Sequence, residues 1–141
     1  MVKIARINEI HRNEFDETYA IVRSMKSKSD WIMQEPLLSP SQSLFARYRQ
    51  MVNDGTWSKE AFDTIYVPQF IKELKQNADA VEKLNEIYRK SRDNKNIALC
   101  CFCTDESICH RSIIGGLLQG VGANVIINAD YSRYFEIYKQ L

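Results

Sequence analysis

The sequence predicts an α/β fold: a single domain, mainly parallel sheet flanked by helices, with a helical insertion between the early and late strands. Three observations predict it. Short β-type runs open the chain, helical periodicity fills residues 39–93, and the apolar run "KNIALCCFC" leads into a helix and a further strand. A chain of 141 residues is the size of one domain, residues 1–141, and can bury a core without metals or disulfides.

The elements follow in order. "VKIARI" and "TYAIVRSM" are β-type runs, the second ending where Arg23, Lys26 and Lys28 gather in a Ser-containing loop, and "WIMQE" is a third before Pro36. In "SPSQSLFARYRQMVND" Leu44, Tyr48, Met51 and Val52 recur at helical spacing, with Ser39 or Ser41 as N-cap and Asp54-Gly55 as the stop. "WSKEAFDTIYVPQFIKEL" puts Phe62, Ile65, Tyr66, Phe70 and Leu74 on one face behind a Ser58 cap, and Pro68 should bend or split it. "NADAVEKLNEIYRKSRD" turns Val81, Leu84, Ile87 and Tyr88 inward and ends basic, which suits the helix dipole. "KNIALCCFC" is apolar on both faces, the mark of a central strand covered on both sides. "ESICHRSIIGGLLQGVG" then reads as a helix capped by Ser107 and stopped at Gly120 or Gly122. The strand "ANVIIN" follows, so strand, helix and strand make a right-handed crossover of a parallel sheet; the helix "SRYFEIYKQL" closes the chain.

Composition narrows the function classes. Nineteen Lys and Arg stand against 18 Asp and Glu, so no whole-surface field recruits duplex nucleic acid. The apolar stretches fall far short of the roughly 20 residues a membrane span needs, and the start is charged where a signal peptide is apolar. A cytoplasmic protein with no membrane partner is the expectation. All four cysteines, Cys100, Cys101, Cys103 and Cys109, are close in sequence, so none can staple distant parts of the fold, and a reducing compartment suits them.

The chemistry concentrates in "CFCTDESICHRSIIGG", residues 101–116. If a strand ends near Cys103, the loop carrying Cys103 and Thr104 lies at its carboxyl end, where open α/β sheets bind ligands. Cys109, His110 and Arg111 then form the first helical turn, where free N–H groups and the dipole favour an anion and a guanidinium can fork onto phosphate or carboxylate. Two sharper readings compete. Cys101, Cys103, Cys109 and His110 are four suitable zinc ligand types. Against this, Cys101 and Cys103 on one strand face stand about 7 Å apart, so the strand would have to break at Cys103. Alternatively Cys109, beside His110 and Arg111, is an activated thiol, with Cys109 and His110 as nucleophile or acid–base group. The phosphatase pattern of Cys followed six residues later by Arg is absent: those positions hold Cys109 and Gly115. The bland alternative makes Cys100 and Cys101 small apolar core residues. Gly115-Gly116 in mid-helix costs about 1 kcal/mol each relative to Ala, which implies a close neighbour, strand or ligand.

"IALCCFCTDESICHRSIIGGLL" resembles the carboxyl-terminal signature of the domain of unknown function 488 family, an apolar strand ending in Cys and then Cys-His-Arg opening a helix. "AIVRSMK" is similar to that family's strand ending in Val-Arg, with Arg23 in the arginine position. "PLLSPSQSLFARYRQ" resembles its Pro-Ser-x-x-Leu helix start at Pro40, Ser41 and Leu44, and "GTWSKEAFDTIY" its segment ending in a tyrosine, here Tyr66. The likeness runs from about Lys3 to Ile127. Members often carry an acid two positions after the first cysteine, where this chain has Cys103. The resemblance implies a compact α/β fold and hands over no reaction. It also implies that Arg23 and Cys103 end strands opening on one sheet edge, so that Arg23, Ser41 and the Cys109-His110-Arg111 turn surround one pocket.

The expected function is binding of a small phosphorylated or anionic ligand, a nucleotide derivative, at the strand ends by Arg23, Ser41, Cys103, Thr104, Cys109, His110 and Arg111. Whether the protein senses or sequesters that ligand, or hydrolyses or transfers it, stays open. No cofactor is needed for this, zinc being the metal the cluster would suit. The alternatives are a zinc-stabilised interaction domain and a nucleic-acid-associated protein, the latter resting on "YRKSRDNK" and "ARYRQ", which equally fit solvated helix ends. His11 reads as solvent-facing, and Trp31 and Trp57 as core or rim aromatics. Tyr131, Tyr134, Phe135 and Tyr138 offer an interface to a second copy or, equally, core packing.

Overall fold

The computed structural model describes residues 1–27 and 29–141; the expectation for Lys28 lies outside them. Five strands form one all-parallel sheet: β1 Val2–Arg6, β2 Glu17–Ala20, β3 Met33–Gln34, β4 Ile97–Cys101 and β5 Val125–Ile126. Their spatial order is β3-β2-β4-β1-β5. The central position of β4 explains its composition. All five of its residues are buried, with β1 hydrogen-bonded on one side, from Val2 opposite Ile97 to Arg6 opposite Cys101, and β2 on the other. A strand covered on both faces has no use for alternation, so "IALCC" is apolar throughout.

The helices α1 Gln42–Asn53, α2 Lys59–Ala61, α3 Val67–Gln76 and α4 Ala78–Arg92 lie between β3 and β4 in the chain, as the sequence predicts for its helical insertion. The cap of α1 is Ser41, whose hydroxyl accepts from Leu44 N; Ser39 donates instead to the Pro36 carbonyl. Pro68 splits its segment as expected. Its ring would press on the carbonyl four residues back, and a π turn, Phe62–Tyr66, widens the backbone just ahead of it, with Val67 N reaching Phe62 O. The basic end of α4 is held in ion pairs, Lys90 reaching Glu17 at 2.8 Å and Glu86 at 3.1 Å.

After β4 the structure corrects the expected Ser107 cap. A 3-10 turn, Glu106–Ile108, intervenes, because Asp105 takes both the N–H and the hydroxyl of Ser107. Helix α5 therefore starts at His110, with Cys109 as its N-cap, and ends at Gly120; Gly122, at φ +91°, turns the chain toward β5. The last helix is α6 Arg133–Gln140. The neighbour demanded by the glycines is protein. A Cβ on Gly116 would collide with the Tyr131 carbonyl and one on Gly115 with Ile127. Tyr131 and Tyr134 are buried in that packing and Phe135 and Tyr138 are half-buried against it; elsewhere on the core Trp31 and Trp57 are half-buried, Trp57 against Tyr48, Phe62 and Tyr66. His11 is exposed. Among the described residues no helix is long and apolar enough to cross a membrane.

Candidate functional site

The topology creates a crevice at one point. From β2 the chain moves outward to β3, whereas from β4 it crosses β1 to reach β5, so the connections of two adjacent strands leave in opposite directions. Beyond the carboxyl ends of such a pair lies the opening where α/β sheets place ligands. The ends of β2 and β4 deliver Ile21 and Arg23 on one side and Cys101 and Cys103 on the other.

Strand β4 stops at Cys101, and the break turns Cys103 back toward its neighbour. The 3-10 turn then carries the chain to Cys109. That turn is anchored by buried Glu106, which accepts from the Tyr131 hydroxyl at 2.9 Å and from Asn128 at 3.2 Å. The consequence is convergence: the three sulfurs of Cys101, Cys103 and Cys109 and a ring nitrogen of His110 all lie within 4.8 Å of one another. Cys101 Sγ is 3.3 Å from Cys109 Sγ, which is 3.7 Å from His110 Nδ1. His110 Nε2 donates to the Ile21 carbonyl at 2.6 Å, since a carbonyl can only accept; this leaves Nδ1 facing the sulfurs. Arg111, also buried, points its Nη1 at the Cys103 carbonyl at 2.6 Å, Cys101 Sγ at 3.3 Å and Cys109 Sγ at 3.9 Å, while its Nε has no partner among the described residues. Cys101, Cys109 and His110 are buried, and Cys103 is on the solvent side.

These contacts set the charges. Hydrogen bonds from Cys103 and Cys109, helped by His110 and Arg111, hold the Cys101 thiol far below the ordinary thiol range against the effect of burial. Of the three thiols, Cys101 is the one whose surroundings favour the thiolate. Its partners are pushed the other way: the bonds to Cys101 and Cys109 raise Cys103, and burial with the bond to Cys101 raises Cys109. Burial opposes charge on His110, but Cys103 and the Cys101 thiolate raise it on balance. Buried Tyr66, in the tyrosine position of the resemblance, is pushed well up by burial, with the nearby cysteine cluster adding to the rise. Cys100 is apart from all this, its thiol turned to the Tyr19 carbonyl at 3.4 Å.

Arg23 and Ser41 lie elsewhere in the crevice. They line a cavity of about 550 Å³ with Ser39, Ser43, Glu73 and Asn77, and with Phe70 and Leu74 as apolar wall. Arg23 Nε donates to the Pro40 carbonyl at 3.1 Å, and Arg23 is in no ion pair among the described residues. Ser41 donates its N–H at 3.0 Å and its hydroxyl at 2.6 Å to the Glu73 carboxylate. Cys103, Thr104, Cys109, His110 and Arg111 are not among the residues lining that cavity. The Phe70 ring separates the two places, forming the cavity wall and meeting the His110 ring edge-on at 5.8 Å between centroids. The expected single pocket is thus two adjoining ones, a thiol cluster and a polar cavity. Glu73 and Phe70 were not singled out for the site from the sequence; their spacing on one helical face was the available signal.

A parallel-sheet α/β protein with a Cys-His-Arg centre at a strand-end crevice is the class that fold and site define; the centre could hold a metal ion. The profile of DUF488-N3a, described as the active DUF488-N3 subclade, matches residues 3–122, and the chain belongs to the DUF488 family. No curated protein and no solved structure matches it.

Proposed function

We propose that the protein binds a small phosphate-bearing ligand of the nucleotide class in the crevice beyond β2 and β4. The observation that carries this reading is the 550 Å³ cavity with the Arg23 guanidinium at its edge. The volume is in the range that holds a small organic ligand. Arg23 keeps donors to spare for a phosphate after its bond to Pro40. Glu73 already accepts two hydrogen bonds from Ser41, yet a carboxylate has about four acceptor sites, so ribose hydroxyls suit the remaining ones. Phe70 and Leu74 supply an apolar wall for a base. The thiol cluster lies behind that wall. The description of the matching subclade as active favours the catalytic form of this reading, hydrolysis or transfer, over simple sequestration. Free thiols and the lack of an apolar spanning helix among the described residues go with a cytoplasmic setting.

Thermal unfolding in the presence of nucleoside mono-, di- and triphosphates tests it. The melting temperature is expected to rise with at least one of them, by about 2.7 kcal/mol of added stability at a hundredfold excess over Kd. In Arg23→Ala the rise disappears for phosphate-bearing ligands, and chromatography of the incubated ligand separates turnover from binding. No shift with any nucleotide or with inorganic phosphate at millimolar concentration overturns the reading.

A further inference from the structure

We propose that Cys101, Cys103, Cys109 and His110 form a zinc centre of structural type, with Arg111 as the outer partner that cancels its charge. This does not depend on the nucleotide reading. Geometry is the first support. Four zinc bonds of about 2.0–2.3 Å in a tetrahedron put sulfur atoms about 3.8 Å apart and sulfur about 3.6 Å from nitrogen. The pairs at 3.3 Å between Cys101 and Cys109 and 3.7 Å from Cys109 to His110 Nδ1, with all four atoms inside 4.8 Å, bracket those values, so binding needs one sulfur pair to open slightly and the widest separation to close. The condition set by the sequence, a strand that breaks before Cys103, is met because β4 ends at Cys101.

The second support is the outer shell. A zinc-bound imidazole usually donates its other ring N–H to a carbonyl or carboxylate, which fixes the tautomer. His110 does so through Nε2 to Ile21 O, leaving Nδ1 as the metal-facing lone pair. Three thiolates and a neutral imidazole around Zn²⁺ carry a net charge of −1. Buried Arg111 supplies +1, within 3.3 Å of one sulfur and 3.9 Å of a second. A borderline-soft ion is the choice because three of the four ligands are sulfur, which calcium and magnesium avoid. Burial of Cys101, Cys109 and His110 leaves little room for a substrate on the metal, as structural centres require. The ion would tie the end of β4 to the start of α5 and, through His110, to the end of β2.

The test is elemental analysis and native mass spectrometry of protein prepared with zinc under reductant and dialysed, followed by cobalt(II) substitution. One zinc per chain is expected, with four-coordinate cobalt absorption and a thiolate charge-transfer band. In Cys103→Ser, a solvent-side change that spares the buried packing, that band falls by about one third, one thiolate of three. Arg111→Gln lowers zinc affinity about 10- to 100-fold, as loss of an outer partner does. A folded protein that retains no zinc or cobalt, or one whose cobalt spectrum is unchanged in Cys103→Ser, overturns the assignment. So does a Cys101–Cys109 disulfide persisting under reductant in the zinc-treated protein. None of these readouts responds to nucleotide, so the two proposals fail separately.

Discussion

At Gly116 the missing side chain is what lets the segment before α6 approach α5. The obstacle to a Cβ there is the Tyr131 carbonyl, and backbone cannot swing aside as a side-chain tip can. The Tyr131 amide donates to Gln119 at 2.8 Å and its hydroxyl to Glu106 at 2.9 Å, so the collision spreads to the turn that positions Cys109. Gly116→Ala gains about 1 kcal/mol of helix propensity and loses more to overpacking, which costs typically 1–3 kcal/mol and more where nothing yields. We expect net destabilisation of about 1–2 kcal/mol by urea unfolding. A stabilised variant would mean that Tyr131 moves without cost. Arg111 illustrates the same scale electrostatically. A guanidinium so buried is tolerable only because a carbonyl and two sulfurs receive it.

Between elements, the start of α1 is fastened to α3 by Ser41. Its hydroxyl accepts from Leu44 N as a cap and donates to Glu73, 32 positions away. Ser41→Ala removes both, and a loss of about 1–2 kcal/mol is expected from the cap together with a half-buried carboxylate left short of a donor. Ser43→Ala, whose hydroxyl meets only Ser41, is the control, and equal losses in urea unfolding would refute the assignment. Caps of this kind were legible in the sequence, as Ser41 and Ser58 show, because they act over three residues. So was β4, whose unbroken apolar run had only one place to go. The Ser107 cap failed because Asp105, two positions earlier, engages both the N–H and the hydroxyl of Ser107, so that hydroxyl donates to a carboxylate instead of capping the helix. The cysteine window announced its ligand types but not their convergence, which hangs on where β4 stops. The grip of Glu73 on Ser41 was illegible for a different reason: it joins helices through a fold that local patterns do not specify.

In the molecule as a whole, the parallel sheet buries its middle strand completely and so buries titratable groups with it. Cys100 is the cleanest case. It is fully enclosed, gives its thiol proton to the Tyr19 carbonyl, and is raised by burial from 9.0 to about 12. In the unfolded chain the thiol ionises near its ordinary value, so between pH 9 and 12 the folded state binds more protons than the unfolded one. Stability contributed by this group is therefore whole below pH 9 and is lost as pH rises toward 12. Tyr19, Tyr66 and Tyr131, all raised by burial, add the same sign from about pH 10 upward. Cys109 adds it as well while the thiol cluster is metal-free. Replacing Cys100 by Ala isolates its share. Cys100→Ala should be less stable than the parent at pH 8, through the lost sulfur packing. Its deficit should then shrink above pH 9 by up to about 1.4 kcal/mol per pH unit. Urea unfolding of both proteins at pH 8 to 11 measures that difference. A deficit independent of pH would mean that Cys100 ionises in the folded sheet as readily as in the unfolded chain, and that the centre of the sheet admits water.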